Sequence, residues 1–324
     1  MTKGLSVGQK LEALNALQED LHSRDAKDLL QKSLADRSNY VVQRAAELMG
    51  ESGDESFIAE LLSTYRHLQI DASKSDPGCL GKTAIIQSLI QLGHTDADTY
   101  RDGIAYEQPE PVWGGRKDSA AELRGLCALG LINSAGRLEV LNRCAGLLAD
   151  SCAEARTGAA RAIGALAEPE GAPLLRLKLL VRDKVAEVHG ECCAALLRLD
   201  REGGIATVAS FLSAADPDVC VQTALALGDS RQPQAFAPLR LAWQRQANPV
   251  VRESLLICIG LLRSSESREF LLSQITRDDL PAAADAIKAL KVFGEASEVK
   301  ARVAAAVKAT GQAQLERTFT LEWG

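Results

Sequence analysis

Aromatic residues and histidines are both scarce in this sequence. Phe, Trp and Tyr make up 4% of the 324 residues, while Ala and Leu dominate, which favours closely packed helices over sheets. Only four histidines occur, with no His-Glu pair and no H-x-x-x-H spacing, so the usual helical zinc and di-iron sites lack their ligands. A G-x-S-x-G motif is also absent. We therefore predict no catalytic residue, no metal site and no cofactor.

Long apolar runs and an excess of positive charge are also missing. The amphipathic N-terminus has neither the apolar core of a signal peptide nor the roughly 20 apolar residues of a membrane span, so we expect a cytoplasmic protein without membrane contact. The net charge of −6 and the pI near 5.4 do not favour nucleic acid as a partner, because phosphate binding needs a broad Lys/Arg surface. The eight cysteines show no C-x-x-C spacing and are predicted to be reduced core residues.

A repeat is the strongest pattern in the chain. Eight segments align with one another, and the last five spacings between them are 31–33 residues, enough for two helices with short turns. Small or apolar residues recur at the fifth and sixth positions counted from the opening apolar residue, as at Ala45/Ala46 and Cys192/Cys193, and Asp, Asn or Pro stand before the segments as helix-start signals. The segments are YVVQRAAELMG, TAIIQSLIQLG, ELRGLCALGLI, EARTGAARAIG, EVHGECCAALL, DVCVQTALALG, VVRESLLICIG and AAADAIKALK.

The D-P-x-V-R-x-x-A-A-x-A-L-G character of these segments resembles HEAT repeats, especially the short bacterial form of phycobilisome-lyase-like proteins. The resemblance covers residues 36–295. It implies an all-α fold, a right-handed α-α superhelix (HEAT/armadillo-like solenoid) of about eight helical hairpins whose second helices line a concave face. Residues 1–324 would then form a single domain, with capping helices in 1–35 and a cap helix followed by an extended tail in 296–324.

The resemblance leaves the function open, because such repeats occur in scaffolds, lyase subunits and a few enzymes. We predict a non-catalytic scaffold that binds another protein or peptide. A bilin lyase-type subunit that binds a tetrapyrrole is the first alternative, and a HEAT-like DNA-repair glycosylase is the second. The sequence argues against deoxyhypusine hydroxylase, whose iron ligands come from repeated His-Glu pairs.

Four residues form a potential ladder on the second helices. Arg124, Arg156 and Arg252 occupy the same register of their repeats, and His189 takes the equivalent position in another. Together they could bind an acidic partner or an anion along the concave face. Alternatively, each arginine pairs with the acidic helix-capping residues of its own or a neighbouring repeat and only stabilises the stack.

The segment 100–120, YRDGIAYEQPEPVWGGRKDSA, breaks the repeat and is predicted to be an irregular loop. Trp113, Arg116 and Lys117 place an aromatic face and two cations close together, which could hold a peptide or an anion. The alternative is that Trp113 packs between repeats and the loop is a spacer.

The C-terminal sequence ERTFTLEWG alternates Phe319, Leu321 and Trp323, and we interpret it as an extended, strand-like tail. Such a tail either covers the apolar end of the array or recruits a partner.

Overall fold

The computed structural model describes residues 4–294 and 297–324, and helices form nearly all of the regular structure in these ranges. The predicted all-α repeat fold is confirmed, because consecutive helices pair and neighbouring pairs pack side by side. The chain divides into two compact units, Met1–Leu166 and Ala167–Gly324. A repeat contacts only its neighbours, so each unit holds a layered core of its own.

The first unit contains two N-terminal helices in the predicted capping segment, then a series of helical pairs and one β-hairpin. Its elements are α1 (Val7–Asn15), α2 (Arg24–Leu34), α3 (Asn39–Ser52), α4 (Ile58–Leu68), α5 (Ala72–Ser75), α6 (Leu80–Gln91), α7 (Ala97–Ala105), β1 (Pro109–Val112), β2 (Gly115–Asp118), α8 (Ala121–Leu131), α9 (Arg137–Leu147) and α10 (Ala153–Leu166).

The second unit consists of helical pairs joined by short turns. Its elements are α11 (Ala172–Val181), α12 (Ala186–Leu199), α13 (Gly203–Ala209), α14 (Pro217–Asp229), α15 (Phe236–Arg245), α16 (Pro249–Leu261), α17 (Ser265–Ile275), α18 (Leu280–Ala289), α19 (Ser297–Thr310) and α20 (Ala313–Trp323).

All eight aligned segments lie on the second helix of a pair. In the first unit α3, α6, α8 and α10 pack against one another in order, as do α12, α14, α16 and α18 in the second. The small and apolar residues of the repeat, such as Ala45, Cys192 and Leu255, are fully buried on these helices. All eight cysteines are free thiols, and seven of them are buried. The repeat therefore follows the stripe along which second helices pack.

Two glycines let α8 and α10 approach closely. A Cβ atom added at Gly158 would overlap Gly125 Cα, and one added at Gly125 would lie 2.9 Å from Gly158 Cα. Neither position has room for a larger residue, because the opposing atoms are backbone. This contact brings the first turns of α8 and α10 side by side next to the hairpin.

The second helices begin with the predicted capping residues. In each of five repeats, an Asp or Asn side-chain oxygen accepts a hydrogen bond from the backbone N–H two residues later, which satisfies a free donor at the helix start. The acceptors and donors are Asp118 and Ala120, Asp150 and Cys152, Asp183 and Val185, Asp216 and Asp218, and Asn248 and Val250, at 2.8–3.0 Å.

The predicted irregular loop at 100–120 is wrong over most of its length. Tyr100 belongs to α7 and is fully buried, and its hydroxyl donates to the carbonyl of His94 at 3.0 Å. Residues 109–118 form the β-hairpin. Proline and glycine disfavour a helix in this range. Pro109 and Pro111 still fit into β1, because at these two positions the backbone N–H of a strand would point away from β2 and no donor is needed.

The predicted extended tail is also wrong, because residues 313–323 form α20. Leu315, Phe319 and Trp323 are four residues apart and share one face of this helix. The indole N–H of buried Trp323 donates to the carbonyl of Ile287 at 3.1 Å, and α20 packs on α18 and α19. The segment therefore covers the end of the second unit. Across the described ranges, no helix combines the length and apolarity needed to cross a membrane.

Candidate functional site

The β-hairpin interrupts the helices between α7 and α8. Its strands are antiparallel, with Val112 opposite Gly115. Trp113 and Gly114 form the two-residue turn between them, and the φ of 89° at Gly114 is the left-handed conformation that the third residue of a type II turn requires. Trp113 therefore stands at the tip of the hairpin.

The hairpin is tied to the turn that precedes α6. Both carboxylate oxygens of Glu110 accept hydrogen bonds from the backbone N–H of Gly78, at 3.0 and 2.9 Å. The buried side-chain amide of Gln108 donates to the carbonyl of Asp76 and to Glu110, each at 2.8 Å. These bonds fix β1 against a different repeat.

A buried ion pair holds that turn in place. Lys82 Nζ lies 2.8 Å from Asp76 Oδ2, and neither side chain is exposed. The Asp76 carboxylate also accepts from the backbone N–H groups of Gly81 and Lys82, and Lys82 donates to the carbonyl of Leu68. Because a buried charge is tolerated only when it is paired and hydrogen-bonded, this cluster makes the turn a rigid support.

Arg124 connects the other strand to the next repeat. Its guanidinium donates to Asp118 at the end of β2, to the carbonyl of Tyr106 at 3.0 Å, and to both carboxylate oxygens of Asp150 at 3.0 Å. The side chain is only 4% exposed. The structure thus supports the capping-pair alternative for Arg124, whose donors are already used within the fold.

Asp118 is held in its ionised form. Burial alone would raise the pKa of Asp118, but the backbone N–H groups of Gln108 and Ala120, together with Arg124, outweigh burial and hold the pKa below its ordinary value of 3.8. Asp118 therefore clamps the end of β2 to the start of α8 at neutral pH.

The tip of the hairpin is exposed although its base is fixed. Trp113 is fully exposed, and Val112 beside it is 49% exposed. Arg116 and Lys117 are also exposed, and as neighbours on β2 they point to opposite faces of the hairpin. Trp113, Arg116 and Lys117 thus lie on one hairpin with the two cations on opposite faces of it, and Trp113 does not pack between repeats.

A groove of 330 Å³ lies between the hairpin and the first turns of α8 and α10. Four carboxylates line it, those of Glu110, Asp118, Glu122 and Glu154, against one cation, Lys117. Glu122 and Glu154 are exposed, and each is the second residue of its helix, where negative charge interacts favourably with the helix dipole. The groove carries an excess of negative charge.

The other two arginines of the ladder also contact capping residues. In the first unit, Arg156 donates to the carbonyls of Asp150 and Ser151 at 2.9 and 3.0 Å. In the second unit, Arg252 pairs with Asp279 at 3.1 Å, and its guanidinium lies 5.0 Å from the centre of the Trp243 ring. Both arrangements favour a role in helix capping and repeat packing.

His189 is buried in the second unit. Its Nε2 atom lies 3.0 Å from Thr223 Oγ1 and 3.4 Å from Cys193 Sγ, and its ring lines a cavity of 670 Å³. Burial lowers the pKa of His189, so the ring is neutral at pH 7, and burial raises the pKa of the Cys193 thiol. A thiol that stays protonated is a poor nucleophile, so this pair lacks the character of a catalytic dyad.

The acidic lining of the groove was not predicted from the sequence, although a signal for it exists. Glu122, Glu154, Glu187 and Asp218 are the first residues of four successive aligned segments, so an acid recurs at the same register. The anchoring role of Gln108 has no such signal, because its partner Asp76 lies 32 residues away.

Among the residues that the structure describes, no group of three or more His, Cys, Asp or Glu side chains could hold a metal ion. No family model matches the sequence, and no curated protein is significantly similar to it.

Solved structures of helical repeat proteins are similar to this chain. Kap121p bound to Pho4p has a TM-score of 0.51 and 12% identity, over 99% of this chain and 38% of Kap121p. A chain from the CpcE–CpcF complex of phycocyanin lyase from Nostoc sp. PCC7120 has 15% identity, over 87% of this chain and 94% of that one, with a TM-score of 0.37. Human deoxyhypusine hydroxylase has 20% identity, over 80% of this chain and 92% of the hydroxylase chain, with a TM-score of 0.32. The likeness shows a HEAT-like fold alone.

Proposed function

We propose that this chain is a non-catalytic scaffold that binds another protein or peptide, with the hairpin 109–118 at the centre of the contact. A fully exposed Trp113 on a hairpin with a fixed base carries the proposal. Tryptophan is among the residues that contribute most to binding when an interface buries it. Because the hairpin is held in place before binding, little conformational entropy is lost on association.

The surroundings of Trp113 have the composition of an interface. Val112 extends the apolar tip, while Arg116 and Lys117 supply a charged rim. Arg124 is not a partner-binding residue in this proposal, because its guanidinium is bound to Asp118 and Asp150 and holds β2 in place.

Fold analogy adds modest support to a protein-binding function. Kap121p, which shares the helical repeat fold, is seen bound to Pho4p and to Nup53p. Fold alone does not determine function, so the hairpin and not the analogy carries the proposal.

The tetrapyrrole and nucleic-acid alternatives require free cations. Bilin propionates or a phosphate backbone would need a surface of exposed Lys and Arg. Arg124 is already bound to two carboxylates, and the groove beside the hairpin carries more carboxylates than cations. Both observations favour the protein-binding proposal.

The test compares proteins recovered from native lysate by wild type, Trp113→Ala and Leu138→Ala. Leu138 on α9 is an exposed apolar side chain of the same unit, so its variant controls for the loss of exposed apolar area. We expect one protein to be recovered by wild type and by Leu138→Ala but not by Trp113→Ala, at equal melting temperatures. Equal recovery by all three would reject the proposal.

A further inference from the structure

The groove beside the hairpin has two walls of different origin. Glu110, Val112 and Lys117 of the hairpin form one wall, and the first turns of α8 and α10, with Glu122 and Glu154, form the other. Its 330 Å³ is near the lower limit of ligand pockets, which span about 300–1,000 Å³. A space of this size suits one or two long side chains of a partner.

Charge in the groove favours a positively charged occupant. Arg124 balances the negative charge of Asp118. The carboxylates of Glu110, Glu122 and Glu154 remain, and Lys117 is the one cation among the residues that line the groove. An acidic segment would meet like charges, which costs binding energy and slows association, whereas a basic segment is attracted. The net charge of −6 on the whole chain acts in the same direction.

Trp113 adds an independent preference for a cation. It is next in sequence to Val112, which lines the groove, and its ring is uncovered. The face of a tryptophan ring is the best side-chain surface for a Lys or Arg cation. Within this chain, Arg252 already lies over Trp243 in such a contact, 5.0 Å from the ring centre.

The proline positions of β1 exclude one other mode of recognition. Pro109 and Pro111 lie opposite Asp118 and Arg116, and they have no N–H to offer to an added strand. Three of the four residues of β1 line the groove. A partner segment in the groove is therefore recognised through side chains and not by strand addition to β1.

We infer that the partner docks a lysine- or arginine-rich segment on this surface. One cation enters the groove beside Glu122 and Glu154, and another lies on the face of Trp113. The inference rests on the proposed scaffold function and names the chemistry of the partner.

Two fluorescein-labelled peptides test this inference at low ionic strength. One is GSRKARLKSG, and the other has Glu in place of every Arg and Lys. Fluorescence anisotropy measures their dissociation constants with wild type, Trp113→Ala, and the double variant Glu122→Gln/Glu154→Gln. The matched control is Glu187→Gln/Asp218→Asn, which removes two exposed acids from the same helix position of α12 and α14.

The basic peptide should bind wild type and the control double variant with similar affinity. Its binding should be about tenfold weaker with Glu122→Gln/Glu154→Gln and with Trp113→Ala, and the acidic peptide should bind wild type at least about tenfold more weakly. Equal weakening by the two double variants would show an effect of net charge alone and overturn the inference. Equal binding of the two peptides, or no binding of the basic one, would also overturn it.

The lysate experiment separates this inference from the scaffold proposal. A partner that is lost with Trp113→Ala but fully retained by Glu122→Gln/Glu154→Gln would contradict the basic-segment inference and leave the scaffold proposal standing. A partner retained by both variants would contradict both.

Discussion

The guanidinium of Arg124 forms two parallel hydrogen bonds with the carboxylate of Asp150, each 3.0 Å long. Asp150 also accepts from the backbone N–H of Cys152, and so it starts the second helix of the next repeat. With Asp118 on its other side, Arg124 joins the hairpin to two successive repeats. The support of the exposed tip is therefore part of the repeat structure itself.

Arg124→Ala removes the cation shared by Asp118 and Asp150. We expect the free energy of unfolding of the first unit to fall by about 3 kcal/mol or more, because a broken buried pair leaves uncompensated charge. Arg252→Ala is the control at the same register. Its side chain is 32% exposed, with one ion pair and a contact with the Trp243 ring, so we expect a smaller loss of about 1–2 kcal/mol. Urea unfolding measures both, and similar losses would contradict the supporting role of Arg124.

The two tryptophans at the hairpin tip and in α20 should differ in their effect on stability. Trp113→Ala should change the free energy of unfolding by less than about 0.5 kcal/mol, because the side chain contacts solvent. Trp323→Ala should lower it by about 3 kcal/mol, because a buried ring and its hydrogen bond are lost. Thermal melts compare them. A large loss with Trp113→Ala would mean that Trp113 is a core residue.

The contact of α8 with α10 can be tested at two glycines. Gly158→Ala places a Cβ atom against the backbone of Gly125, so we expect a loss of about 2 kcal/mol or more. Gly146→Ala, on α9, meets no atom within 4 Å and should be neutral or stabilising by up to about 1 kcal/mol. Circular-dichroism melts distinguish the two. Equal effects would show that the helices are not held at this distance.

Asp118 gives the stability a defined pH dependence. Burial raises the pKa of Asp118, but hydrogen bonds and Arg124 outweigh burial and hold this pKa below 3.8. The contribution of the Asp118 carboxylate to the free energy of unfolding is therefore complete above pH 3.8. It is lost as the pH falls through the lowered pKa. Asp118→Asn, which has no carboxylate to protonate, should lose less stability than wild type on the same acidification. Urea midpoints over a pH series measure this, and parallel curves for the two proteins would refute it.

The helices could be predicted from the sequence because each repeat buries the same stripe. Ala45, Cys192 and Leu255 mark that stripe in repeats far apart along the chain, and local spacing is enough to find it. The hairpin could not be predicted in this way. It depends on Glu110 bonding to Gly78 and Gln108 to Asp76, each 32 residues apart, and no local pattern reports such a contact.

The tail and the ladder show two further limits of local pattern. Phe319, Leu321 and Trp323 alternate like a strand, but with Leu315 included the spacing of four residues indicates the helix that forms. Arg124 is the fourth residue of α8, as Arg156 is of α10, so the two share a register within the first unit. Register does not reveal that the donors of Arg124 are already bound to Asp118 and Asp150.

Photo-cross-linking at position 113 shows directly whether the hairpin tip contacts a partner. p-Benzoylphenylalanine replaces Trp113 in one protein and Leu138 in another, and both are irradiated in native lysate. We expect an adduct with one partner protein from position 113 and none from position 138. Equal adducts from both positions, or none from position 113, would contradict the claim that the hairpin tip is the contact surface.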